Sequence, residues 1–529
     1  MENVVNKKME KFSVLLERAN FSMKKYQYDG IEWCLRNELS ENPVKGGIVA
    51  DEMGLGKTLT MIGLMYVNLK RRTLLVVPPV LLEQWVNEIY KCSGHQVLVY
   101  HGNKKKTISE EQLRQAPIVL TTYNMLLDTE PKKQGPVKKH KEAKENLLRK
   151  IVWDRIIFDE AHHLRNKKTE RFQSCKSVKG HIRWLISGTP VQNKRKDFYN
   201  LCEMIGIDKK GKYDIPSIIR NHVLRRTKAD VGIELPPVLK EECLIPWSNK
   251  YEKRLSEELH SMLPKQTGVK NINSYLLDQI DETENTSILT SILRARQSCI
   301  LPSLMISKLL PCINNIVNSD EDEDEGEEED EDREPKTDMI KIYEQAFQSS
   351  SKLDAVVKCI VERKDNGNGK IIFCHFRNEI DLIASRLIAS GLKKVVTYDG
   401  RNSNTKKGLQ LLTEAADAII LQIQTGCEGL NLQEHFSEIY FVSPHWNPCV
   451  EDQAVARCHR IGQQKPTYVF KFVMSGFEQR EDPNKANNNK EDQENNNDEA
   501  PEEPITLERY VDKVQNTKRE IINQIISCA

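Results

Sequence analysis

The chain has thirteen cysteines but not one C-x-x-C pair. So odd and scattered a set builds neither a zinc knuckle nor a disulfide framework, and the thiols are expected to be buried in a reducing compartment. No run of about 18 apolar residues occurs, and the opening M-E-N-V-V-N-K-K-M-E-K has no apolar core of signal-peptide length. These absences argue against a membrane or secreted protein and point to the nucleus or cytoplasm. Net charge is nearly absent too, at +1, but the balance hides a segregation. Asp320–Glu334 carries 13 acidic residues and one arginine, and Glu478–Glu503 carries 10 acidic and 3 basic. Setting both aside leaves a net +20 on the remainder, the footprint expected of a chain that meets nucleic acid.

What is present is organised around Gly46 to Thr60, G-G-I-V-A-D-E-M-G-L-G-K-T-L-T. A short apolar run, Ile48 to Ala50, leads into a glycine-bearing turn, and Leu59, Ile62, Met65 and Leu69 then recur at helical spacing. Strand, loop and helix in that order make a phosphate site, because Gly54 and Gly56 let backbone N–H groups close on phosphate oxygens at a helix N-terminus. Lys57 would reach the β- and γ-phosphates, and Thr58 would ligate magnesium. Asp51 stands where G-x-x-x-x-G-K-[ST] has its first glycine, and an ordinary glycine turn before a helix is the competing reading. Upstream, Gln27 is either a reader of an adenine edge or a plain surface residue.

From Thr73 onward, β-rich apolar runs alternate with helical patterns: Thr73–Val77, Val97–Tyr100, Ile118–Thr121, Arg155–Phe158 and Ile182–Ser187. A second series comprises Lys370–Cys374, Lys393–Tyr398, Ala418–Gln422, Ile439–Ser443 and Tyr468–Val473. Strands buried on both faces and separated by helices predict an α/β fold with two parallel sheets, and chemistry at their carboxyl ends. The strongest motif there is Asp159-Glu160-Ala161-His162, which follows Ile156-Ile157-Phe158. Such an acidic pair suits magnesium held by Asp159 through water and an attacking water oriented by Glu160; acidic capping of a helix is the alternative. Arg457 and Arg460, three apart, are expected on one helical face.

The ordered set Y-Q-x-x-G-x-x-W, D-E-M-G-L-G-K-T, V-V-P-P-V-L-L-E-Q-W, T-T-Y, D-E-A-H, S-G-T-P-V-Q-N and L-R-R-T-K closely resembles the Swi/Snf family of superfamily-two DNA translocases. That family carries aspartate at the Asp51 position. The resemblance implies two RecA-like lobes with ATP and Mg2+ between them, duplex DNA across both, a helical insertion and a C-terminal brace helix. It implies nucleotide contacts from Gln27 and from Asp51, Glu52, Met53, Gly54, Leu55, Gly56, Lys57 and Thr58, with magnesium on Thr58 and Asp159. It implies DNA contacts from Thr121, Thr122, Tyr123, Thr425, Gly426 and Trp446, and coupling through His162, Thr189 and Gln453. Lys57, Asp159 and Glu160 would act from the first lobe, while Arg457 and Arg460 would reach the phosphates from the second. The chain is similar to a repair and transcription-termination branch that often carries a RING finger, yet no cysteine and histidine spacing here could build one. Gln422 stands where the family usually has serine or threonine, and Cys427 replaces a glycine, which puts coupling in doubt.

Six segments are expected: an N-terminal ATP-binding lobe at 1–235, a helical insertion at 236–318, an acidic disordered linker at 319–338, a C-terminal lobe at 339–476, a disordered acidic loop at 477–504 and a brace helix at 505–529. The basic run Lys132–Lys150, net +6, is expected to be a loop. The expected activity is ATP-driven movement along double-stranded DNA by a monomeric motor that displaces bound protein, histones or polymerase. A strand-separating helicase and a non-catalytic DNA-binding scaffold are the rivals. Compactness without reader domains would also suit a large DNA virus.

Overall fold

A computed structural model describes residues 1–20, 24–127, 146–192, 194–207, 215–269, 288–318, 336–399, 401, 415–426, 430–477 and 504–526. The acidic run 320–334, the loop 478–503, residues 132–145 of the basic run and Cys427 lie outside the described residues. The chain divides into two compact units: Met1–Leu235 with Asn447–Ala456 and Thr517–Ala529, and Pro236–Trp446 with Arg457–Asn516.

The first unit holds β1 (Gly46–Val49), β2 (Thr73–Val77), β3 (Leu98–Tyr100), β4 (Ile118–Thr122), β5 (Trp153–Phe158), β6 (Gly180–Ile186) and β7 (Val223–Leu224) in the order β3-β4-β2-β5-β6-β1-β7, all parallel. Alternate residues of each strand enter different cores. Leu75, Val77 and Ile157 pack with Phe12, Leu35, Leu64 and Trp85 from helices on one face, whereas Leu74, Val76, Ile156 and Phe158 pack with Phe172, Phe198 and Leu201 on the other. Both faces are apolar, so these strands read in sequence as continuous hydrophobic runs rather than as alternation.

One charged group crosses this interior. Arg155 donates through Nε and Nη2 to the two carboxylate oxygens of Glu38 at 2.6 Å each, and neither side chain is exposed. Asn68 Nδ2 (2.6 Å) and Trp184 Nε1 (2.9 Å) donate to the same carboxylate, tying the helix Lys25–Leu39 to β5 and β6.

The second unit has β8 (Val238–Ile245), β9 (Gly369–Cys374), β10 (Val395–Tyr398), β11 (Ala418–Gln422), β12 (Phe436–Phe441) and β13 (Thr467–Met474) in the order β10-β11-β9-β12-β13-β8, again parallel. The stretch expected to be helical from residue 236 therefore opens with a strand, paired to β13 along its whole length. Its Lys240, Glu241 and Glu242 are exposed, as suits an edge strand guarded by charge; the same charges hide it from a search for apolar runs. Helices then follow at Lys250–Ser261, Ile288–Ile300 and Ile306–Asn318, and the first and last pack with Tyr343 of the helix Lys336–Phe347 around Leu255, Leu259, Met305 and Leu309. That fourth helix begins inside the stretch expected to be a spacer up to residue 338.

The last helix, Leu507–Ile526, is seated by buried polar groups in the second unit. Lys352 pairs with Glu508, whose Oε2 also accepts the Met474 N–H at 2.9 Å, and His260 Nε2 accepts the Leu507 N–H at 2.9 Å. Further along, within the first unit, Arg519 pairs with Asp452 at 2.8 Å and Ile521 and Ile522 pack on the sheet core. Among the described residues no helix is long and apolar enough to cross a membrane.

Removing the partner of a fully buried charge is costly. Glu38→Gln is expected to destabilise the first unit by about 3–5 kcal/mol, measured by chemical denaturation; a loss under ~1 kcal/mol would mean that the pair is solvated.

Candidate nucleotide site

β1 delivers the chain to a turn that ends where the helix Lys57–Val67 begins. Gly54 (φ 96°) and Gly56 (φ 78°) hold backbone values that a side chain would strain. Gly56 has a second reason to be glycine, since a Cβ there would lie 2.8 Å from Gln27 Nε2. The amide of Gln27, itself buried, thus rests against the loop. Lys57 Nζ donates to the carbonyl oxygens of Asp51 (2.8 Å) and Glu52 (3.3 Å), so its ammonium lies over the loop. Leu55 is buried beneath it, whereas Met53 and Thr58 are partly exposed.

The two loop carboxylates are engaged elsewhere. Asp51, fully buried, receives Arg226 Nε at 3.1 Å and Nη2 at 2.5 Å. Glu52 receives the Lys228 N–H at 2.8 Å and Lys228 Nζ at 2.9 Å. Both residues are expected at the nucleotide, and in the structure their side chains bind the L-R-R-T-K segment. This pairing is also a physical reason for aspartate at the position where the simpler motif has glycine.

Asp159 directly follows β5, on the same carboxyl edge. Its Oδ2 accepts Trp85 Nε1–H at 2.7 Å, and its Oδ1 accepts the Glu160 N–H at 2.8 Å. Burial, and after it the charge of Glu160, push its carboxyl up to about 7. Glu160 adopts a left-handed backbone (φ 48°, ψ 50°), a strained choice for a residue with a side chain. Its carboxylate lies 3.2 Å from His162 Nδ1, and that nitrogen lies 3.5 Å from Ser187 Oγ. The next residue along, Gly188, would place a Cβ 2.8 Å from Met53 Cγ and 3.3 Å from Lys57 Nζ. The loop, D-E-A-H and S-G-T-P therefore meet at one place.

The T-T-Y motif, expected at DNA, is turned into the protein here. Thr121 and Thr122 are wholly buried, their hydroxyls engaged by the Tyr100 carbonyl (2.8 Å) and His101 Nδ1 (3.1 Å). Tyr123 is buried as well, and its hydroxyl donates to the Asp159 carbonyl at 2.5 Å. Of the three inward-turned side chains, Tyr123 holds Asp159, while Thr121 and Thr122 tie β4 to Tyr100 and His101. Trp85 was missed as a site residue; its position closing V-V-P-P-V-L-L-E-Q-W was the available signal, but the indole N–H that orders Asp159 cannot be read from spacing.

Thr189 and Gln453, expected to couple, do meet: Gln453 Nε2 donates to Thr189 Oγ1 at 3.4 Å, beside Gln192 Nε2 at 3.3 Å. Asn447 Nδ2 donates to Gln192 Oε1 at 2.9 Å. The helix Pro448–Val455 thereby belongs with the first unit.

In the second unit, Arg457 and Arg460 do not share a helical face, because the helix ends at Val455 and both lie in the turns that follow. Gln463 holds those turns, its Nε2 donating to the Phe436 (2.9 Å) and Cys458 (3.3 Å) carbonyls. Arg460 bonds Asn431 Oδ1, and the Arg457 carbonyl accepts the Leu432 N–H at 3.1 Å. Trp446 packs edge-on against Tyr510, 6.4 Å between ring centres. Gly426 is buried, and a Cβ on it would lie 2.8 Å from Leu421 Cβ, so close packing accounts for that glycine. The Thr425 side chain lies outside the described residues. Gln422 Nε2 reaches the His375 carbonyl at 3.5 Å.

The raised carboxyl of Asp159 has a stability consequence. Its folded value near 7 exceeds the ordinary 3.8, so the folded state holds the extra proton and stability falls as pH rises from about 4 to 7. In metal-free protein, Asp159→Asn is expected to raise the melting temperature above pH 7, with the gain vanishing near pH 4; equal melting of parent and variant across that range would remove the burial argument.

Comparison with known proteins bears on the family and the fold. An SNF2-related domain matches residues 26–216, and a helicase conserved C-terminal domain matches residues 351–462. A DNA excision repair protein ERCC-6-like of Danio rerio is 26% identical over 514 residues, covering 82% of this chain and 33% of that protein. A probable global transactivator of Orgyia pseudotsugata multicapsid polyhedrosis virus is 26% identical over 494 residues, with 88% of this chain and 89% of the viral one covered. The helicase domain of Pyrococcus furiosus Hef shares the fold at a TM-score of 0.51 and 15% identity, covering 86% of this chain and 96% of that one. Of the zebrafish protein and two further curated relatives the chain spans 33%, 58% and 44%. With the two matched domains in tandem, a parallel sheet in each unit and the ordered motifs in place, the chain belongs to the SNF2 family of helicase-like proteins.

Proposed function

We propose that the chain hydrolyses ATP when bound to double-stranded DNA and uses that energy to move along the duplex and displace bound protein. The observation that carries this reading is the convergence of Gln27, Lys57, Asp159 and Glu160 on the carboxyl edge of one parallel sheet. Gln27 would read the adenine, the loop N–H groups and Lys57 would hold the phosphates, and Glu160 would orient the attacking water. Oxygen donors fit magnesium, and Asp159 Oδ2 accepts a bond from Trp85 while Oδ1 accepts one from the Glu160 amide, so lone pairs on each oxygen remain for a metal or its waters. Thr58 and Asp159 would hold that ion, which neutralises phosphate charge when bound.

His162, fixed between Glu160 and Ser187, would pass the state of the reacting phosphate to S-G-T-P and on to Thr189 and Gln453. Arg457 and Arg460 would supply guanidinium charge to the γ-phosphate, as the family resemblance implies. The +20 outside the acidic tracts supports a sequence-independent phosphate grip on DNA, and histones or a polymerase are the proposed cargo. The proposed setting is the nucleus or cytoplasm of a cell, or a host cell if the source is a virus, with a single copy of the chain acting as the motor.

Duplex DNA is expected to raise ATP turnover and to permit triplex displacement without unwinding. Efficient opening of a forked duplex would favour a helicase, and no turnover under any condition a DNA-binding scaffold. Arg460→Ala should cut DNA-stimulated hydrolysis by about 10³ to 10⁵ while ATP affinity stays within roughly tenfold; near-parental hydrolysis would remove Arg460 from the reaction.

A further inference from the structure

The departure at Asp51 leads to Arg226, a residue of L-R-R-T-K that has no role among the site residues named above. We infer that Arg226 is a positioning residue for base selection, registering the segment that carries Gln27 against the phosphate loop. The inference rests on the nucleotide reading above and gives it a determinant of specificity.

The guanidinium of Arg226 divides its donors between two pieces of chain. Nε and Nη2 take the two oxygens of Asp51 at 3.1 and 2.5 Å. Nη1 donates to the carbonyl oxygen of Tyr26, whose ring lies 5.6 Å beneath the guanidinium carbon. Tyr26 is the residue before Gln27, in the first turn of the helix Lys25–Leu39. Room for the fork comes from Gly30 on the same helix, where a Cβ would lie 2.7 Å from Nη2 and 3.2 Å from Nη1. The backbone adds to the tie, because the Glu52 N–H donates to the Arg226 carbonyl at 2.8 Å.

The circuit closes on the other side of the loop, where Gln27 Nε2 lies against Gly56. A reader amide selects a base only if it stands at a fixed height above the phosphate site. Here that height is set by one planar cation that grips both the backbone next to the reader and the first residue of the loop. Lysine keeps the charge, but its donors all sit on one nitrogen and cannot span a carboxylate and a separate carbonyl as the planar fork does.

The test uses the full chain, with ATP, GTP and inorganic tripolyphosphate titrated by calorimetry and melting temperature as the check on folding. Arg226→Lys and Gly30→Ala are compared with the parent. The second leaves every named side chain in place, crowds the guanidinium and favours the helix, so it carries the test even if the first fails to fold. The parent is expected to prefer ATP to GTP. Both variants should lose about tenfold of that preference, the scale of one hydrogen bond, through weaker ATP binding, while tripolyphosphate binds as before. Equal weakening of all three ligands would make Arg226 a brace of the loop alone and overturn the inference, as would full selectivity in folded Gly30→Ala. A parent without preference between ATP and GTP would overturn the base-reading role of Gln27 together with the inference.

Discussion

An ionised carboxylate taken out of water has to be paired, hydrogen-bonded or protonated, and three carboxylates of the first unit meet that demand, two by pairing with arginine and one without a cation. Glu38 is paired in full with Arg155 and anchors the N-terminal helices to the sheet. Asp51 is paired with Arg226 and draws L-R-R-T-K onto the phosphate loop. Asp159 has no salt-bridge partner among the described residues; hydrogen bonds from Trp85 and the Glu160 amide hold it, and burial raises its proton affinity. The first two build the frame, and the third keeps a strained, charge-hungry site that a divalent cation would relieve.

The second unit obeys the same rule for a different end. Glu508 with Lys352, and Glu438 with Arg363 and Lys370, bury ionised groups that fix the last helix and the centre of the sheet. Gln463 and Cys458, both turned toward the Phe436 carbonyl, pin the turns that present Arg457 and Arg460. The polar interior of this unit thus serves the placement of exposed motifs more than cohesion, since such pairs add little net stability over apolar packing.

Much of this was legible in the sequence because doubly buried parallel strands announce themselves as apolar runs: Thr73–Val77 and Ala418–Gln422 coincide with β2 and β11 at both ends. The phosphate loop was legible because its glycines and lysine have a fixed order. Pairings between distant segments were not, and they changed the roles of named residues. Asp51 and Glu52 read as loop carboxylates near a nucleotide, and the sequence does not show that Arg226 and Lys228 pair with them. Thr121, Thr122 and Tyr123 read as a polar exposed motif, yet the end of a strand hides all three. β8 is charged because it is an edge, and the helix before Arg457 stops at Val455, with Gln463 holding the turns that follow, neither of which periodicity records.

The central claim is that the turn between β1 and the helix at Lys57 is a nucleotide site with a shape set by the carboxylates around it. Calorimetric titration of magnesium ATP into the parent and into Lys57→Ala tests it most directly. The account predicts saturable one-to-one binding to the parent and a loss of about 100-fold or more in the variant, some 2.7 kcal/mol, with the fold unchanged by circular dichroism. Equal affinity in the two proteins, or no binding to the folded parent, would contradict it.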